Sequence, residues 1–148
     1  ATGGNLVFHQ RIMGVMGFWC AAACGFQALL DRPATEEMAR YGWAVTDVAL
    51  LTIAMGMTGE PIGPLAIGYP LVLVAAGLWF SVRLVVLTTV VELASYVVLL
   101  WFLGPKDFRL PHYQLIFGAS LAVIGAIVAY QVHRIGSLSR YFDRQRQG

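Results

Sequence analysis

Between Leu65 and Leu103 the only charged residues are Arg83 and Glu92, and between His112 and His133 there is no Asp, Glu, Lys or Arg. Stretches this long and this apolar need lipid as their solvent, because about 20 such residues in a helix cross the ~30 Å hydrocarbon core of a bilayer. Lipid cannot hydrogen-bond an exposed backbone, so the runs read as helices and exclude an open sheet. Composition agrees. Only 12% of the 148 residues are charged and 58% are hydrophobic, where a soluble domain carries about 25% charged residues. The expected fold is therefore all-α, a polytopic integral membrane bundle of four to five transmembrane helices in a single domain spanning residues 1–148. A net charge of +2, with the aromatic residues inside apolar runs, gives no footprint for nucleic acid. The lipid bilayer is the implied partner.

Five segments emerge, at about 12–30, 43–58, 65–80, 84–103 and 113–133, followed by a basic tail at 134–148. The third carries Pro70 in its first half, where a kink is tolerable in a membrane helix. The third and fourth are separated only by Ser81-Val82-Arg83, which predicts a tight antiparallel hairpin. Glycines and prolines mark loops at 59–63 and 104–111. Trp43, Trp79, Trp101, Tyr113 and Tyr130 fall near segment ends, at the headgroup level that amphipathic rings prefer. Cys20 and Cys24, one helical turn apart, read as small packing residues.

The tail holds Arg134, Arg140, Arg144 and Arg146, which under the positive-inside rule places it in the cytoplasm of an inner-membrane protein. Five crossings then put Arg32, Arg40 and Arg83 on the same side, with Arg11, Lys106 and Arg109 opposite. The first segment, rich in Gly, Ala and Met, is a poorer span than the third to fifth; its ~19 uncharged residues favour a true crossing, and an interfacial position for it leaves four crossings.

Glu92 is the residue most open to a chemical role. It lies about nine residues, or ~13 Å, beyond Arg83 along a helix, near mid-membrane, where an ionisable group is costly and is by default a functional candidate. Thr88, Thr89, Ser95 and Tyr96 lie three or four positions away and share its face. That polar stripe reads either as a ligand or proton site or as a protonated Glu92 tied to neighbouring hydroxyls as a packing device. Asp47 and Arg83 are candidates for a structural ion pair. Gly118, Ala122, Gly125 and Ala129 give the fifth segment a face of small residues, suited to close helix packing within the bundle or across an oligomer. No metal or catalytic motif appears. His9 and His112 share a side in the five-crossing arrangement, but no haem motif accompanies them, and the expected cofactor is none.

Two stretches resemble known signalling proteins. Asp47-Val48-Ala49-Leu50-Leu51-Thr52, with Met57-Thr58-Gly59 and a proline-containing turn, is similar to multipass sensor domains of bacterial histidine kinases. Gly68-Tyr69-Pro70-Leu71 through Gly77-Leu78-Trp79-Phe80-Ser81-Val82-Arg83, then Thr88-Thr89 and Ser95-Tyr96, resembles the membrane region that follows the catalytic domain in one group of bacterial serine/threonine protein kinases. Pro111-His112, Leu115-Ile116-Phe117, Tyr130-Gln131-Val132-His133-Arg134 and Leu138-Ser139-Arg140-Tyr141-Phe142 extend the likeness. It covers roughly residues 43–144 and contains no kinase catalytic motif. The resemblance implies a non-catalytic transmembrane sensor or anchor that transmits a signal by helix rearrangement, oligomeric, with a kinase domain before Ala1 in the parent protein. The alternative is a free-standing small membrane subunit of a transport or electron-transfer complex. A kinase domain before Ala1 and a cytoplasmic tail together require an even number of crossings.

Overall fold

The computed structural model describes the backbone of residues 3–58, 63–103 and 112–146, and the side chains of residues 10–58, 63–103 and 112–138. All regular structure among these is helical: α1 (Gly3–Leu30), α2 (Glu36–Thr58), a 3₁₀ turn (Pro64–Ile67) leading into α3 (Gly68–Gly77), α4 (Val82–Leu103) and α5 (His112–Arg146). The loop expected at 104–111 and all but the last residue of that at 59–63 fall outside the described residues. Three helical stretches are long and apolar enough to cross a membrane: Gln10–Leu30, Val82–Leu103 and His112–Leu138. The other two expected spans differ for identifiable reasons. The hydropathy of α2 is diluted by Glu36, Glu37 and Arg40 in its first turns and by Asp47. The apolar Pro64–Gly77 stretch reaches only ~23 Å at the rises of 3₁₀ and α geometry, short of the hydrocarbon thickness.

Several boundaries depart from the sequence reading. The polar linker is half helix, because α2 starts at Glu36 with Glu36 and Glu37 in its first turn, where carboxylates complement the helix dipole. Thr35 joins α1 to α2: its hydroxyl donates to the Leu29 carbonyl at 2.8 Å, and its own carbonyl accepts from the Ala39 N–H at 2.8 Å. Pro70 introduces no mid-helix kink. It lies in the first turn of α3, where a missing N–H removes no intrahelical bond. The basic tail is not a separate segment either. α5 continues unbroken as 35 residues, about 52 Å, well beyond the apolar stretch.

The hairpin between α3 and α4 is closed by Leu78, Trp79 and Phe80, whose N–H groups bond back to the last turn of α3. Phe80 takes φ 51°, a left-handed conformation that usually belongs to glycine at a helix C-terminus. Ser81 then starts α4, its hydroxyl accepting from the Leu84 N–H at 3.4 Å.

Buried apolar residues form two clusters stacked along the bundle. One joins Met55, Ala66, Tyr69, Leu73, Leu99 and Leu121; the other joins Ala44, Ala76, Leu84, Val85 and Val132. The first collects the end of α2, the start of α3, the end of α4 and the start of α5, and the second collects their opposite ends. So α2 to α5 alternate in direction and form one four-helix core. α1 stands outside it. It packs on α2 alone among the helices, antiparallel, with Phe26 stacked on Trp43 at 6.2 Å. Trp101, Tyr113 and Tyr130 are exposed on the outside of the bundle.

Candidate functional site

Where the two clusters meet, four helices bring a small polar layer into the apolar core. α4 contributes Thr88, Glu92 and Tyr96, one turn apart, with Thr88 1%, Glu92 0% and Tyr96 2% exposed. Thr89 and Ser95 are only half-buried, on the flanks of that face. α3 contributes Tyr69, fully buried and close enough to Glu92 to feel its charge. α2 contributes Thr52, whose hydroxyl meets that of Tyr69 at 2.8 Å. α5 contributes Gln114, whose backbone carbonyl accepts from the Tyr96 hydroxyl at 3.1 Å. Gln114 was not singled out from the sequence, and a lone amide near the start of an apolar helix gives little signal. Tyr69 carries a polar tip in an apolar run, yet only packing shows that it meets α2 and α4.

The hydroxyls do not tie down Glu92, contrary to the packing reading of the stripe. Thr88 donates to the Leu84 carbonyl at 2.9 Å, and Thr89 donates to Val85 at 2.8 Å. Threonine in a helix reaches the carbonyl four residues back more easily than a side chain a turn ahead. Both carboxylate oxygens of Glu92 and the side-chain oxygen of Gln114 are buried with no hydrogen-bond partner among the described residues.

The Asp47–Arg83 ion pair does not form. Asp47 accepts from the Trp19 indole of α1 at 2.6 Å, with Trp43 beside it, while Arg83 is exposed. The depths differ, since Arg83 precedes Leu84 of the second cluster and Asp47 precedes Val48 of the first. The basic residue engaged at that end is Arg40, which pairs with Glu36 and lies 4.9 Å over the Trp79 ring. A cleft of about 330 Å³ opens there, between Glu37, Arg40, Tyr41 and Ser81, remote from Glu92.

Gly118 and Gly125 of α5 face α4 within the chain. A side-chain carbon at Gly118 would meet Tyr96, and one at Gly125 would overlap Thr89. Ala129 packs in the second cluster, and Ala122 is exposed. Cys20 and Cys24 are free and exposed on α1, so they do not pack inside the chain as expected. His112 is exposed at the start of α5, and the side chain of His9 lies outside the described residues. No group of three or more His, Cys, Asp or Glu among the described residues could hold a metal ion. No family model matches the chain, and no curated protein or solved structure does either.

Proposed function

We propose that this chain is a non-catalytic transmembrane sensor or anchoring domain of a membrane-bound signalling protein kinase, with its basic tail in the cytoplasm of a bacterial inner membrane. The observation that carries the reading is the polar layer around Glu92 inside an otherwise apolar helical core. A buried polar group among helices biases one packing over another, and a ligand that binds the two packings unequally shifts the balance between them. The likeness of residues 43–144 to membrane regions of bacterial kinases supplies the signalling context. Copies of the chain would associate through an outer surface, since the small residues of α5 are largely engaged with α4.

The peripheral α1 sets the topological condition. If all five helices cross, the chain's ends lie on opposite faces, and a kinase domain before Ala1 would face away from the basic tail. If α1 lies on the membrane surface, the ends share a face while α2 to α5 keep their mutual packing. Cysteine placed by Gly3→Cys or Gln145→Cys, with Cys20 and Cys24 replaced by serine, reports the faces through a membrane-impermeant maleimide. The kinase reading requires both positions to react from the same face, and reaction from opposite faces overturns it. A second reading, a free-standing small subunit of a membrane complex, draws its support from α1 running antiparallel along α2, which favours ends on opposite faces.

A further inference from the structure

We propose that Glu92 is a reversible binding site for a single positive charge, a proton or an alkali-metal ion, held at the junction of α2, α3 and α4. The argument follows the hydroxyl protons. The one proton of Thr52 goes to the Val48 carbonyl at 2.6 Å. A hydroxyl has a single proton to give, so in the Thr52–Tyr69 contact Tyr69 is the donor. Its oxygen then offers lone pairs to its surroundings and no proton. Thr88 gives its proton to Leu84, Thr89 to Val85 and Tyr96 to Gln114. These five hydroxyls are thereby committed elsewhere, and Glu92, 0% exposed, keeps both oxygens unpartnered among the described residues.

A carboxylate buried without a donor or a counter-charge is far too costly to persist. A proton resolves this by neutralising the carboxyl where it lies. An alkali ion resolves it by drawing the carboxylate and hydroxyl lone pairs onto itself. The charge is one unit because the layer holds one carboxylate. Among the titratable groups of the packed helices, Tyr69 of α3 and Tyr96 of α4, with Tyr113 of α5 beside it, lie at this layer, and Asp47 of α2 is turned to Trp19 of α1. A divalent ion would leave an uncompensated charge in the core. This inference names the ligand of the sensor site but concerns binding by the membrane chain itself, so it stands or falls separately from the attachment of a kinase.

The test uses the full chain in liposomes of zwitterionic lipid, with the unfolding equilibrium followed by tryptophan fluorescence. One arm varies pH in choline chloride; the other exchanges choline for sodium at fixed pH and ionic strength. The folded-to-unfolded ratio should rise with the occupying ion, by about 100-fold at about 100 times its Kd, and the response should disappear in Glu92→Gln. Infrared difference spectra separate the two sources: a proton produces a carboxylic C=O band absent from Glu92→Gln, whereas sodium perturbs the carboxylate bands without producing it. If Glu92→Gln does not fold, Tyr69→Phe serves in its place, keeping the carboxyl and shifting the response to a higher concentration of the ion. A wild type indifferent to both pH and sodium overturns the site, as does a response unchanged in Glu92→Gln or, where that variant does not fold, in Tyr69→Phe.

Discussion

Replacing Gly125 by alanine probes the α4–α5 contact at its tightest point. A carbon added there would lie 2.6 Å from Cγ2 and 3.0 Å from Cβ of Thr89, closer than side-chain carbons approach one another. Thr89 cannot simply turn aside, because its hydroxyl is bonded to Val85 at 2.8 Å. Overpacking of a well-filled contact costs about 1–3 kcal/mol, and removing a mid-helix glycine returns about 1 kcal/mol. The expected net loss is about 1 kcal/mol. Gly56→Ala is the control, since Gly56 has nothing within 4 Å of its added carbon and should gain about 1 kcal/mol from propensity alone. Gly125→Ala combined with Thr89→Ala removes the overlap with the threonine's outer atoms and leaves only the 3.0 Å approach to its Cβ, so the double variant should be more stable than the sum of the two single changes by about 1–2 kcal/mol. Stability is read from reversible unfolding in mixed detergent micelles. If Gly125→Ala stabilises as much as Gly56→Ala, α4 and α5 do not meet through this face and the register of the bundle is wrong.

Other elements make their own predictions. Trp19→Phe removes the α1 indole that donates to Asp47 at 2.6 Å and should weaken docking of α1 by about 1–2 kcal/mol, seen as faster proteolysis in the 31–35 connection; an unchanged rate would show that this bond does not hold α1. Phe80→Gly relieves a left-handed conformation in an exposed residue and should raise stability by about 1 kcal/mol, measured in the same micelle unfolding assay, with a loss counting against the hairpin geometry. Thr52→Val leaves the buried Tyr69 hydroxyl without its acceptor and should cost about 1–2 kcal/mol, whereas Thr46→Val, on the same helix but outside the described side-chain hydrogen bonds, serves as the comparison.

The long runs without charge pointed to the helical class and the rough segment positions, because runs that apolar suit a lipid solvent and lipid would leave backbone groups no partner except their own helix. They also marked Glu92, since an acid in such a run is visible without coordinates. What surrounds Glu92 was not legible in the same way. Spacing on α4 grouped Thr88, Thr89, Ser95 and Tyr96 with it, but hydrogen bonding is decided by distance in space, and the threonines reach their own backbone first. Tyr69 and Thr52 join the layer only because α3 and α2 pack there at matching depth, and no local pattern encodes depth across helices. Asp47 shows the same limit. Its charge suggested Arg83, expected at a similar depth, but α1 folds back along α2 and supplies an indole instead. Ends of helices followed local chemistry that hydropathy does not weigh, so α2 began early at its acidic first turn and α5 ran on through the basic tail. Sequence alone thus marked the long apolar runs as helices, and tertiary packing decided which of their residues meet.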